Sequence, residues 1–291
     1  MTTTPDTSFS ETAPAKINLA LHITGRRDDG YHLLDSLFVY TSGGDVLTAE
    51  PADTLTLTIT GPFGDTLTKA GGAGDDNLVL KAARLLQEAT NTSLGAAISL
   101  EKNLPVASGI GGGSSDAAAA LRLLQRLWGV CLPANDLAVL ALSLGSDIPP
   151  CLAPSPQHVV GVGEQVTPLA PASTAYCLLV NPLIGISTPA VFKAFKAANC
   201  PFSQPLKGTS FQAALAAHND LQSAAVELVP TLPKALALLS DQKGCKLARM
   251  SGSGATLFAL FDNADEAQAA RGAFTKLYPD WWTYLDTVEL P

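Results

Sequence analysis

The sequence predicts an α+β protein, and three patterns carry that expectation. Residues 17–23 and 55–59 alternate apolar and polar side chains with period two, as half-buried strands do. Residues 77–89, with Leu78, Leu85 and Leu86 among their apolar positions, and residues 117–128, stopped by Gly129, read as helices. Beyond residue 175 the order is strand, helices, strand, strand, helix, strand, which suggests a split βαβ, ferredoxin-like half.

Taken in order, the first strand places Ile17, Leu19, Leu21 and Ile23 on one face and Lys16, Asn18, Ala20 and His22 on the other. A turn at 26–30 follows, marked by Asp29-Gly30. A second run, 31–40, leads into 45–50, and 96–100 is a further strand. A helix at 136–144 is stopped by Gly145, and 159–166 reads as one strand. The Pro-, Ala- and Ser-rich segment 168–175 is the expected domain boundary, giving domains 14–167 and 168–291. The second contains strands 176–180, 246–250, 255–261 and 282–288 and helices 189–198, 211–218, 232–240 and 264–277.

Composition narrows the function. Hydrophobic residues at 47% and charged residues at 15% supply a core and exclude a disordered chain. The net charge of −8 argues against nucleic-acid binding, but it leaves room for a local phosphate site. Five widely spaced cysteines without a Cys-x-x-Cys pair suggest neither zinc nor a disulfide framework. They fit reduced thiols in a cytoplasmic protein. Residues 1–13 are polar and lack the basic and apolar regions of a secretory signal; a disordered tail is expected there. Apolar runs such as 137–144 are too short to span a bilayer, so no membrane partner is expected.

The most informative segment is 104–116, with four glycines in the five positions 109–113. Such a run lets backbone approach a ligand, and Ser114 or Ser115 can cap the following helix. A helix N-terminus then faces the loop and favours anionic oxygens. It is not a Walker A loop, which needs Gly-Lys-Ser/Thr, and Gly111-Gly112-Gly113-Ser114 breaks the dinucleotide spacing. By itself the run serves a flexible turn equally well. Lys16 alone reads as a solvated charge at a strand start. Asp147, in Gly145-Ser146-Asp147-Ile148-Pro149-Pro150, alone reads as a loop carboxylate whose backbone two prolines fix.

The wider pattern decides. Residues 105–115 resemble the P-x-x-x-G-[LI]-G-x-x-S-S signature of the GHMP kinases. The resemblance implies that Pro105, Val106, Ala107, Ser108, Gly109, Ile110, Gly111, Gly112, Gly113, Ser114 and Ser115 wrap the phosphates of ATP. Ser115 matches the position that in those kinases can help to hold Mg2+; no carboxylate metal motif is visible, so the metal ligands stay open. Residues 247–260, with Ser251-Gly252-Ser253-Gly254, resemble the C-terminal glycine loop of the same kinases. The fold implied is the two-domain GHMP kinase fold, with an N-terminal half like ribosomal protein S5 domain 2 and a ferredoxin-like C-terminal half.

Residues 14–38 closely resemble the N-terminal signature of one branch, the diphosphocytidyl-methylerythritol kinases, P-A-K-[IV]-N-L-x-L-x-[IV]-x-G-[RK]-R-x-D-G-Y-H-x-L. Residues 145–149 resemble that branch's Gly-Ala/Ser-Asp-Val/Ile-Pro motif. The implied reaction phosphorylates the 2-hydroxyl of 4-diphosphocytidyl-2-C-methyl-D-erythritol in the non-mevalonate route to isopentenyl diphosphate. Asp147 would be the base and Lys16 would offset charge at the transferred group. Tyr31 would stack on the cytosine and His32 would hydrogen-bond it. Phe192 would cover its other face, and Asn18 would lie near the methylerythritol end. Two positions depart from the pattern: Asp116 stands where many relatives carry Asn, and Pro150 where an aromatic is common. The rivals are another GHMP kinase, acting on mevalonate or homoserine, and a non-catalytic regulator on the same fold. Tyr31-His32 argues against the first, and the pair Lys16 and Asp147 against the second.

Overall fold

The computed structural model describes residues 8–291. They divide into two compact units, each discontinuous in sequence. One comprises the chain up to Ala15, Gly43–Val106 and Gly112–Ala153; the other comprises Lys16–Ser42, Ala107–Gly111 and Pro154–Pro291. Strands β1 (Phe9–Arg26) and β2 (His32–Ala52) pair with each other and contribute to both. Residue 168, the expected boundary, lies inside the second unit.

In the first unit the C-terminal part of β2 runs antiparallel to β4 (Gly95–Glu101), from Val46↔Glu101 to Ala52↔Gly95. β4 pairs in parallel with β3 (Leu55–Thr60). Helices α1 (Gly64–Lys69), α2 (Leu78–Thr90), α3 (Gly112–Trp128), α4 (Ala134–Leu144) and α5 (Ile148–Cys151) complete it. Asn77 caps α2 by accepting the Val79 N–H at 2.8 Å, and Asn91 ends it in the left-handed region. In α3 the small residues Ala117–Ala120 and then Leu121, Leu123 and Leu124 are fully buried. The Trp128 indole closes that helix onto the Gly95 carbonyl at 3.2 Å. Of the tail expected over 1–13, residues 1–7 lie outside the described residues. Residues 9–13 open β1 instead, because Glu11 pairs with Arg122 and Arg126 of α3 and Ala13 is fully buried.

The second unit contains the hairpin β5 (Gln157–Gly161) and β6 (Gln165–Pro168). One strand was expected there. Gly161 and Gly163, at φ 78° and 120°, turn the chain, and the Glu164 carboxylate accepts the Val162 N–H at 2.6 Å. Then follow β7 (Ser173–Asn181), α6 (Thr188–Ala197), α7 (Phe211–Ala216), α8 (Gln222–Leu228) and α9 (Leu232–Ser240). β8 (Cys245–Met250), β9 (Leu257–Phe261), α10 (Ala264–Leu277) and β10 (Trp282–Leu290) end the chain. The strand order is β10-β7-β9-β8, antiparallel throughout, which is the ferredoxin-like arrangement expected. Val180, Phe261, Phe274, Val191 and Leu239 are fully buried in its core, each worth about 1.5–3 kcal/mol of transfer free energy.

Candidate active site

The backbone of the glycine-rich segment enters the left-handed region at three positions. Ala107, Gly109 and Gly111 take φ values of 51°, 76° and 65°. The Ser108 carbonyl accepts from the Thr256 N–H at 3.1 Å and from its hydroxyl at 2.6 Å. The Gly109 carbonyl accepts from Ser251 Oγ at 3.1 Å, and the Ile110 carbonyl from the Lys16 N–H at 2.9 Å. Three successive carbonyls are thus turned toward β1 and the 251–256 turn. Across trans peptides the N–H groups of Gly109, Ile110 and Gly111 point the opposite way, forming a concave row of donors. A Cβ on Gly109 would lie 2.6 Å from the Gly254 carbonyl oxygen and 2.7 Å from that of Ser251, so no side chain fits.

The following helix begins at Gly112, not at the expected residue 117. Gly112 and Gly113, expected in the loop, open its first turn. Ser114 and Ser115 therefore lie inside that turn and are not its caps. Ser115 is buried and donates its hydroxyl proton to the Pro14 carbonyl at 2.7 Å. That bond leaves the oxygen lone pairs to face a cation. Among the described residues no group of three His, Cys, Asp or Glu could hold a metal ion. A Mg2+ ion held mainly by phosphate oxygens and water fits such a donor set.

Lys16 and Asn18 share a face of β1, as the alternation predicts. Lys16 is 4% exposed; its ammonium donates to Asn18 Oδ1 at 3.1 Å and sits 4.4 Å from the centroid of the Phe38 ring. A Cβ on Gly111 would stand 3.1 Å from Lys16 Cε, so the lysine stem packs against the glycine segment. Asn18 donates through Nδ2 to Ser36 Oγ at 2.9 Å and through its backbone N–H to Ser251 Oγ at 3.2 Å. Ser251 therefore links β1 to the loop. Asp147 is half-buried at the N-cap of α5, with prolines in the helix's first turn, and its carbonyl accepts from Cys151 Sγ at 3.2 Å. Lys16 belongs to the second unit and Asp147 to the first.

Tyr31 follows a tight turn in which Gly30 takes φ 95° and the Arg27 N–H donates to the Tyr31 carbonyl at 2.8 Å. Its side chain is 64% exposed. The His32 ring stacks on Phe192 of α6, with centroids 4.8 Å apart and planes 19° apart, and meets the edge of Phe195. Phe192 is thus brought to His32, and it lies on the face of α6 that carries Phe195 and Lys196. Burial first, then the Arg26 and Lys196 charges, hold the His32 imidazole below its usual range. The N-terminus of α6 is tied to the C-terminal glycine turn by a 2.9 Å bond between Thr188 Oγ1 and Ser253 Oγ.

One cluster had no announcement in the sequence. In the first unit Lys102, 2% exposed, donates to Asp45 Oδ2 and, at 2.7 Å, to Asp116 Oδ2. Burial pulls the Lys102 pKa down, but the Asp116 and Asp45 charges outweigh it and hold the ammonium protonated. Burial and the Asp45 charge push Asp116 upward against the pull of Lys102. In the sequence Asp116 stands out only as a departure from Asn, and nothing marks Asp45 or Lys102.

Comparison with known proteins gives the family. The model of the GHMP kinases N terminal domain matches residues 77–154, and that of the GHMP kinases C terminal matches 208–280. The class is therefore that of a GHMP kinase, a two-domain α+β phosphotransferase. A 4-diphosphocytidyl-2-C-methyl-D-erythritol kinase of Paramagnetospirillum magneticum is 50% identical over 281 residues, covering 95% of this chain and 97% of the relative. One of Cereibacter sphaeroides is 50% identical over 277 residues, covering 93% and 95%. A crystal structure of 4-(cytidine 5'-diphospho)-2C-methyl-D-erythritol kinase superposes with a TM-score of 0.81 at 32% identity, over 97% of this chain and 100% of that one. The chain belongs to the 4-diphosphocytidyl-2-C-methyl-D-erythritol kinase family. A homoserine kinase from Cytophaga hutchinsonii, at TM-score 0.73 and 18% identity, shares the fold alone.

Proposed function

We propose that this enzyme transfers the γ-phosphoryl group of ATP to the 2-hydroxyl of 4-diphosphocytidyl-2-C-methyl-D-erythritol, giving ADP and the 2-phosphate. The product feeds the non-mevalonate route to isopentenyl diphosphate. One observation carries the phosphoryl-transfer part: carbonyls 108–110 are tied back, so that the N–H groups of 109–111 face outward as a phosphate cradle. Family membership, together with Tyr31 and His32 in the long N-terminal signature, supports the acceptor.

In this reading the dipole of α3 and the loop N–H groups hold the triphosphate. The acceptor oxygen attacks the γ-phosphorus in line, the bond to the bridging oxygen breaks, and ADP leaves. Asp147 takes the hydroxyl proton. Lys16 offsets charge on the transferred group and is itself oriented by Asn18. Ser115 Oγ would help to hold a Mg2+ ion, which would neutralise charge on the phosphates. Tyr31 offers the cytosine an exposed ring face, and His32 a neutral imidazole that can donate and accept; the Phe192 ring backs that imidazole. The domains are proposed as a GHMP kinase N-terminal domain, 14–167, and a GHMP kinase C-terminal domain, 168–291. Five free thiols, two of them buried, suit a cytoplasmic setting.

The test is ADP release by a coupled assay with Mg-ATP and, in parallel, the cytidylylated acceptor, mevalonate and homoserine. Turnover confined to the first is expected. Turnover on either control would discard the acceptor assignment while keeping the class. ATP binding without turnover on any of the three would favour the regulator.

A further inference from the structure

The first unit buries three charges where the phosphate loop begins and ends. Asp45, fully buried on β2, accepts the N–H groups of Asn103 and Leu104 on one carboxylate oxygen, at 2.6 and 2.8 Å. Its other oxygen takes the Lys102 ammonium. Residues 102–104 are the chain that enters the loop. On the far side of Lys102, at 2.7 Å, is Asp116, in the helix that leaves the loop. The ammonium also lies directly under the first residue of that helix: a Cβ on Gly112 would be 3.1 Å from Lys102 Nζ. Asp116 Oδ1 is buried without a hydrogen-bond partner in the structure. A buried carboxylate oxygen left without a partner is costly.

We propose that Lys102, bridging Asp45 and Asp116, is a positioning residue for ATP: it clamps the strand entering the phosphate loop to the helix leaving it. The clamp fixes the direction of the α3 N-terminus, whose N–H groups and dipole meet the phosphates. Asp45 serves both ends, through the 103–104 backbone and through the ammonium. The bare first turn at Gly112 follows from the clamp, since a side chain there would press on the ammonium. The clamp is independent of the acceptor; it rests only on the reading of 105–115 as a phosphate loop.

The test is direct titration of ADP into the full-length protein, which needs no acceptor, followed by steady-state kinetics. Asp116→Leu removes the helix end of the clamp, and at least a tenfold weaker ADP Kd is expected. Asp116→Asn keeps an acceptor for Lys102, and recovery to within about threefold of wild type is expected. In turnover, the KM for ATP should rise while that for the acceptor stays within twofold. If Asp116→Leu does not fold, Asp45→Asn gives the second reading. It retains an oxygen for the 103–104 N–H groups but places an amide against the ammonium, and it should weaken ADP by a similar factor. A folded variant with lowered Tm and unchanged ADP affinity would overturn the proposal and leave the triad as scaffolding. So would an equal rise in both KM values. If the clamp fails while wild type still binds ADP, the phosphate-loop reading survives; wild type that does not bind ADP would sink both.

Discussion

Lys16 is held before any substrate arrives: Asn18 Oδ1 takes its ammonium, Phe38 lies beneath it and Gly111 borders its stem. Such an ordered cation adds electrostatic stabilisation without reorganisation. Lys16→Met should therefore lower kcat by about 10²–10³-fold and move the KM for the acceptor little, as steady-state assays would register. Asp147→Asn removes the proton acceptor, and a fall in kcat of about 10²–10⁴-fold is expected. Near-normal turnover in that variant would remove Asp147 from the mechanism. Both residues were legible in the sequence through different signals. Period-two alternation placed Lys16 with Asn18, and a family motif singled out Asp147. The Lys102 clamp was not legible. Its partners lie 57 and 14 residues away, and only the folded β2 and α3 bring three ordinary charged residues together.

At the scale of elements, the loop and α6 make separate demands. Gly109 combines φ 76° with backbone oxygens 2.6–2.7 Å from any added Cβ. Gly109→Ala is expected to cost more than about 1 kcal/mol of stability and to weaken ADP binding, as thermal melts and nucleotide titration would register. Burial, to which the aromatic face of α6 contributes, then the charges of Arg26 and of Lys196 on α6 lower the pKa of His32. The His32 pKa lies below its ordinary 6.5, so between the two values the unfolded chain binds the proton more readily. Acidification through that window therefore costs stability, and raising the pH restores it. The neutral imidazole is also the form proposed to read cytosine. Accordingly kcat/KM for the cytidylylated acceptor should fall as pH drops through the same window. Lys196→Met should move the midpoint upward, toward 6.5. A pH profile unchanged by that variant would detach His32 from base recognition. The existence of α6 was clear from sequence. The start of α3 was not, since Gly112 and Gly113, poor helix formers, open it.

For the molecule as a whole, the ferredoxin-like half was readable because its order of elements nearly determines its topology: β10-β7-β9-β8 follows from strand, helices, strand, strand, helix, strand. The interleaving of the two units was not readable, because local periodicity does not say which part of a long strand joins which core. β2, like β1, supplies both, pairing with β4 through residues 46–52 and with β5 through residues 34–38. Of the candidate residues, Lys16, Tyr31, His32 and Phe192 belong to one unit and Asp147 to the other. The measurement that bears most directly on the whole account is a 31P NMR time course of the enzyme with Mg-ATP and 4-diphosphocytidyl-2-C-methyl-D-erythritol. A new phosphomonoester signal should grow in step with ADP, with the acceptor's diphosphate signals retained. Inorganic phosphate in place of the monoester, or loss of the acceptor's own diphosphate, would contradict it.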